Sequence, residues 1–354
     1  MAELDAHTPL RITVVTCVKN EGPFLLEWIA FNRVIGVTDF LFYSNDCSDA
    51  TDELLEALVD RDIVHHLPNP AKGRNYQMEA FRDARKQDVV TEADWVLIID
   101  VDEFLNIHVG DGTLSALIEA CGDPQAISFL HQFFANGGVD TYHDIPVIEQ
   151  FTHSHNPDIW LSDTEIEVKT MIRRDFPVQY YGVHRPYFKA SLPKERYPSW
   201  TDGSGRAVPR QFSASFKRPR VLKLAARGAR NYATLNHYAL RSLDSYLVKS
   251  DRGDVNRDHR FFDDTYWRER NDPAWEDRSI LRLLPRLKDE VENLKKYPEI
   301  KQLHDKSVAL HQAKRDQLLE LPHFQELQKK LRAASEVPPK EEELIAAFGL
   351  DFEG

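Results

Sequence analysis

The sequence predicts an α/β fold: a mostly parallel central sheet flanked by helices, with a charged helical extension at its C-terminal end. Three observations lead there. Apolar, β-branched runs alternate with stretches of helical spacing through the first hundred residues. Those runs are continuously apolar, as strands covered on both faces must be. Each run also stops at a cluster of polar residues, as strands do when their ends open onto a ligand crevice.

The elements follow in order. "RITVVTCV" reads as a first strand, closed by the breaker cluster Lys19-Asn20-Glu21-Gly22-Pro23. Leu25, Trp28, Ile29 and the stretch 32–35 then keep helical spacing. "DFLFYSND" is a second strand, and "SDATDELLEALVD" a helix opened by the cap residues Ser48 and Asp49. "DIVHHL" is a short third strand, a helix spans about 75–86, and "DWVLIID" is the next strand. Beyond about residue 125 the alternation changes: "QAISFLHQFF", "VIEQFT" and "EVKTMIRR" read as strands of an antiparallel or mixed extension. The Pro-, Lys- and Arg-rich stretch 185–220 reads as a long mobile loop. "ATLNHYALRSLDSYLVKSDRG" resumes a strand and then a helix, and residues 274–335 are helical and densely charged.

In a parallel sheet the polar strand ends share one edge. Lys19-Asn20-Glu21, Asn45-Asp46 and Asp100-Val101-Asp102 are therefore expected together. "DWVLIIDVDEFL" is the sharpest of these signals, because an apolar strand runs straight into Asp100, Asp102 and Glu103. Asp100 and Asp102 are two apart and point to the same side of an extended backbone. Adjacent carboxylates repel unless a cation or a shared proton relieves them. Mg²⁺ and Mn²⁺ favour oxygen ligands, taking one or two carboxylates together with substrate phosphates.

Composition limits the alternatives. A net charge of −12 argues against a general nucleic-acid binder, and an acidic chain holding an anionic substrate needs a local cation or basic cluster. The three cysteines are widely spaced and form no framework, which suits a reducing compartment; Cys17 reads as a small buried hydrophobe. There is no signal-like N-terminus and no run near the roughly 18 apolar residues of a membrane span, so a cytoplasmic protein without a transmembrane segment is expected.

The segments "VKNEGPFLLEWIAFNRVIGV", "YSNDCSDAT", "GRNYQMEAFRDAR" and "VLIIDVDEFL" resemble, in order and spacing, the family 2-like glycosyltransferases with the GT-A fold. Further along, "NGGVDTYHD", "VIEQFT", "KTMIRR", "GVHRP", "LNHYALRSLDSYLVKSDRG" and "EDRSI" resemble the bacterial branch of that group. The resemblance covers roughly residues 11–281. It implies that Asn20, Glu21, Asp46 and Arg74 meet the nucleotide or donor sugar, with Asp49 the better fit to helix capping. Asp102 becomes the metal ligand and Asp100 faces the ribose or shares the ion. His237 and His184 compete as a further metal ligand, with His184 otherwise lining the acceptor side beside Arg185. Lys249 and Arg252, three apart on a helix, share a face suited to a diphosphate.

The reaction so implied is transfer of a hexosyl group from a nucleoside diphosphate sugar to an acceptor hydroxyl with inversion, assisted by Mn²⁺ or Mg²⁺. The expected acceptor is a glycan or a lipid-linked species of surface polysaccharide synthesis, reached by peripheral association with a membrane. Glu149 is the first candidate for the catalytic base, with Asp144 and Asp158 behind it. A nucleotidyltransferase would carry a Gly-rich first loop, which "CVKNEGP" lacks. An inactive nucleotide-binding scaffold is the other alternative. The expected layout is a catalytic domain over 1–270 (nucleotide half about 11–105, acceptor half about 125–270) and a helical extension over 271–354. That extension is either a hairpin packed on the domain or a surface for self-association.

Overall fold

The computed structural model describes residues 10–73, 75–155, 165–217, 220–253 and 262–334. Arg74 and Asp158 lie outside the described residues. The chain is α/β as expected. Strands β1 (Ile12–Val18), β2 (Asp39–Ser44), β3 (His65–Pro68) and β4 (Trp95–Ile98) are joined by helices α1 (Gly22–Val34), α2 (Thr51–Val59) and α3 (Tyr76–Ala84). All three pairings among these strands are parallel, in the order β3-β2-β1-β4. The carboxyl ends of β1, β2 and β4 therefore share one edge.

Past β4 the sheet turns mixed. The long strand Glu165–Arg173 runs antiparallel to both β4 and β6 (Ala126–Phe133). The strand Ala233–His237 then lies parallel to β6 and antiparallel to β5 (Glu103–Ile107). Its register sets His237 opposite Glu103 on one side and Phe133 on the other, while Lys169 pairs with Phe129. Charged and imidazole side chains from four separate segments are thus drawn to one end of the sheet by strand register alone.

Two segments depart from expectation. "VIEQ" is a short helix, Val147–Gln150, rather than a strand. The Glu27 carboxylate explains it by accepting from the Val147 and Ile148 amides at 2.8 and 3.2 Å, which satisfies donors that a helix start leaves free. Stretch 185–220 is also more ordered than a long loop. It contains strands Pro186–Phe188 and Trp200–Asp202 and a short helix Arg210–Ser213, all drawn in around the buried Arg185. That guanidinium sits over Tyr187, Trp200 and Phe212 at 4.7, 5.0 and 4.5 Å and donates to the carbonyls of Phe212 and Ser213. Arg185 therefore organises the core instead of lining an acceptor site.

Helices Leu284–Lys295, Pro298–Leu319 and Pro322–Ala333 carry the dense charge read from the sequence. They bury a narrow apolar stripe: Leu287, Leu294 and Ile300 join the same core as α1. This explains why α1 is buried on nearly all sides, since it is sandwiched between sheet and helices. The fit is tightest at Gly22, where a Cβ would fall 2.6 Å from Ser307 Oγ.

Candidate functional site

At the carboxyl ends of β1 and β4 lies a solvent-open cleft of about 740 Å³. Its lining includes Lys19, Glu21, Asp100, Asp102, Lys249 and Arg252, together with Glu167, Tyr180, His184, Tyr187 and Arg220.

The acid knot sits at its floor, and each acid has cationic company. Lys169, fully buried, donates to Asp100 Oδ2 at 2.7 Å and lies 3.4 Å from Glu103 Oε2. Gln77 donates to the other Asp100 oxygen at 3.1 Å. Glu103 is clamped further: His131 Nε2 stands 2.9 Å from Oε1, and the Asp100 amide donates to Oε2 at 2.9 Å. Burial opposes ionisation of Glu103, yet Lys169 and His131 outweigh it and hold its carboxyl at about 2. Asp100 moves the other way. Burial raises it, Lys169 pulls it down, and the Glu103 and Asp102 charges push it back up. Burial lowers His131, against the pull of Glu103.

Asp102 belongs to a second group. Lys249 Nζ donates to Oδ2 at 2.9 Å, and His237 Nε2 lies 3.5 Å from Oδ1. Against the burial cost, Lys249 and His237 hold this carboxyl well below the usual range. Helix Leu243–Arg252 presents Lys249 and Arg252 to the cleft together, as their spacing implies. Arg252 reaches back to the first loop, pairing with Glu21 at 2.5 Å and donating to the carbonyls of Lys19 and Asn20. Arg241 pairs with the other Glu21 oxygen at 2.8 Å. Glu21 is therefore a buried bracket between the β1 loop and the cationic helix.

Several expected residues take other places. Asn20 bridges to the second loop, accepting from the Ser48 amide at 2.7 Å, and Asp46 is exposed outside the cleft lining. Asp49 is not at a cap position, since Ala50 precedes α2 and Glu21 precedes α1; its carboxylate accepts from the first amide of each helix, Thr51 at 3.1 Å and Gly22 at 3.0 Å. Cys17 is only half-buried and lines the cleft. Glu149 and Asp144 do not line it. Glu149 pairs with Lys288 at 2.8 Å, and Asp144 pairs with His304 at 3.2 Å, both against the C-terminal helices. The chain folds the 144–150 segment onto α1 and so carries both acids off the sheet edge. His184 does line the cleft, as Glu167 does; burial lowers it to about 4 and keeps it neutral.

Sequence reasoning gave no role to Glu103, His131, Lys169 or Glu167. The available signal was a charged or imidazole residue inside an otherwise apolar strand, as in "FLHQF" and "EVKTM". For a metal, Glu103, His131 and His237 bring donor atoms within 4.8 Å of one another, and the Nδ1 atoms of both histidines are buried without a partner. His237, 3.5 Å from Asp102 as well, is common to this set and to the expected one. A mixed carboxylate and imidazole donor set fits a divalent cation.

The family model for glycosyltransferase family 92 matches residues 12–189, half of the chain. The chain belongs to glycosyltransferase family 92. The glycosyltransferase class expected from the sequence stands, and family 92 takes the place of the family 2-like group. A family 92 protein of Ricinus communis is 30% identical over 109 residues, covering 30% of this chain and 19% of that protein. One from Oryza sativa subsp. japonica is 28% identical over 111 residues, covering 30% and 18%. These matches span about a fifth of the curated relatives' length. Among solved structures, S. aureus TarS 1–349 is similar at 11% identity and a TM-score of 0.33, covering 97% of this chain and 93% of that one. HddC from Yersinia pseudotuberculosis is similar at 13% identity and a TM-score of 0.29, covering 54% and 88%. No helix among the described residues is long and apolar enough to cross a membrane.

Proposed function

We propose that this cleft transfers a hexosyl group from a nucleoside diphosphate sugar to an acceptor hydroxyl, with inversion at the anomeric carbon. One observation carries the reading: Asp102 stands between His237 at 3.5 Å and Lys249 at 2.9 Å, in the cleft that Arg252 also lines. Membership of a glycosyltransferase family supports it.

Lys249 and Arg252 meet the diphosphate as charge-assisted donors, stabilising the charge that grows on it as the bond to the sugar breaks. Glu21 keeps Arg252 aimed by pairing with it on the far side. Asp100, fixed by Lys169 and Gln77, faces the donor's ribose or sugar hydroxyls as an acceptor. Asp102 and His237, with Glu103 and His131 adjacent, would hold Mn²⁺ or Mg²⁺, which when bound supplies further charge neutralisation for the leaving diphosphate. Tyr180 and His184, which also line the cleft, would meet the acceptor, a glycan or lipid-linked saccharide of surface polysaccharide synthesis.

A thermal-shift screen of UDP and GDP with and without Mn²⁺, followed by a panel of UDP- and GDP-sugars assayed for nucleoside diphosphate release, tests the reading. Stabilisation by a nucleoside diphosphate that grows with Mn²⁺, together with turnover of one donor, is expected. No binding of either nucleotide would overturn it.

A further inference from the structure

Five carboxylates line the cleft: Glu21, Asp100, Asp102, Glu103 and Glu167. Four are committed. Glu21 is held by two arginines, Asp100 by Lys169 and Gln77, Asp102 by Lys249 beside His237, and Glu103 by His131 and Lys169. Glu167 alone among them has no hydrogen bond or ion pair with any described residue. It is only half-buried, so its oxygens are open to the cleft.

Its position follows from register. Met171 pairs with Leu97 of β4 across an antiparallel ladder. Counting on puts Lys169 level with Ile99 and Glu167 level with Val101, beyond the end of β4. Glu167 and Lys169 share a strand face, with Cα atoms roughly 7 Å apart. Lys169 touches Asp100 and Glu103, so Glu167 stands one side-chain position further along the same strand face from the acid floor, lining the cleft with His184 close by. The neighbourhood also sets its charge state: burial opposes ionisation, but His184, His131, Lys223 and Arg270 lower its pKa below the usual carboxylate value.

We infer that Glu167 is the catalytic base of this cleft, accepting the acceptor hydroxyl's proton; the inference rests on the glycosyl-transfer reading above. The acceptor oxygen attacks the anomeric carbon from the face opposite the diphosphate and forms the new C–O bond. The bond from that carbon to the diphosphate oxygen breaks, and its electron pair leaves with the nucleoside diphosphate. The hydroxyl proton passes to the Glu167 carboxylate, so charge and atoms balance without a co-reactant. Neither Glu149 nor Asp144 can do this from the far side of α1.

The test uses the full chain, Mn²⁺ and the donor of the UDP- and GDP-sugar panel that wild type turns over. Glu167→Gln, nearly isosteric, should bind UDP or GDP within about twofold of wild type by calorimetry, while donor turnover falls roughly 10²–10⁴-fold. Azide needs no deprotonation to attack carbon. Added to Glu167→Ala, it should restore nucleoside diphosphate release and yield the glycosyl azide. Turnover by Glu167→Gln within a few-fold of wild type overturns the assignment, as does loss of nucleotide binding in step with turnover, or no azide rescue of a folded, nucleotide-binding Glu167→Ala. If wild type turns over no donor, the transfer reading itself fails and the inference falls with it.

Discussion

Lys169 is fully buried with its ammonium 2.7 Å from Asp100 Oδ2. Its strand brings this one cation to Asp100 and Glu103 together, so its loss leaves negative charge in the sheet without compensation. Removing one partner of a buried ion pair costs about 3–5 kcal/mol. Lys169→Met should lower stability by about that amount in urea unfolding, and adding Asp100→Asn should recover part of the loss. Unchanged stability in Lys169→Met would mean that the acids do not depend on it.

Gly22 opens α1 directly beneath Ser307, with Ser307 Oγ and Cβ 2.6 and 2.8 Å from where its own Cβ would lie. Gly22→Ala should therefore push the Pro298–Leu319 helix outward and cost about 1–3 kcal/mol, the usual range for overpacking. Ser307→Gly on that background should restore most of it. A destabilisation that persists in the double variant would point to the backbone at residue 22 instead.

Asp102 and His237 should govern metal response together. Mn²⁺ should strengthen UDP or GDP binding to wild type in calorimetry, and Asp102→Ala or His237→Ala should remove most of that gain. Lys249→Ala should weaken nucleotide binding about tenfold, near 1.4 kcal/mol, with or without the ion. His184→Ala should leave both properties intact. Equal nucleotide affinity in EDTA and in Mn²⁺ would remove the metal from the account, and loss of the Mn²⁺ effect in His184→Ala alone would exchange the two histidines.

His311 lies buried between Phe24 and Tyr142, its Nε2 3.2 Å from Ser245 Oγ. Burial, with Arg241 nearby, lowers its imidazole to about 4 from the ordinary 6.5. The unfolded chain takes the proton first as pH falls, so this stability is full above pH 6.5 and is lost as pH falls towards 4. His311→Gln should flatten the stability profile in that window, measured by urea unfolding at stepped pH. A profile parallel to wild type would refute the linkage.

Much of the frame was legible because parallel strands advertise themselves twice, through continuous apolar runs and through polar ends. Lys19 to Glu21 and Asp100 to Asp102 met at one edge for that reason. The rest depended on register across the antiparallel half, which no local pattern encodes. Lys169 sits in "EVKTM" as one charge in a readable strand, but nothing in those residues says that it ends against Asp100. The place of Glu149, away from the cleft, was unreadable for a related reason. Its segment resembles a strand until Glu27, 120 positions away from Val147, caps it into a helix. The charged helices were legible as elements that could pack on the domain, but the joining of their thin stripe, with Leu287 and Ile300, to the core around α1 was not.

The bracket around Glu21 also bears on the order in which the chain is made. Its partners lie 220 and 231 positions downstream, at Arg241 and Arg252. As the polypeptide leaves the ribosome, β1 to β4 can pair and bury their apolar faces early, since those contacts are near in sequence. The first loop must wait with an uncompensated carboxylate until the helix bearing Lys249 and Arg252 has emerged. A nascent chain stalled before residue 252 would thus hold the acids of the cleft without Arg252, and the Glu21 carboxylate without the guanidinium that pairs with it in the finished fold.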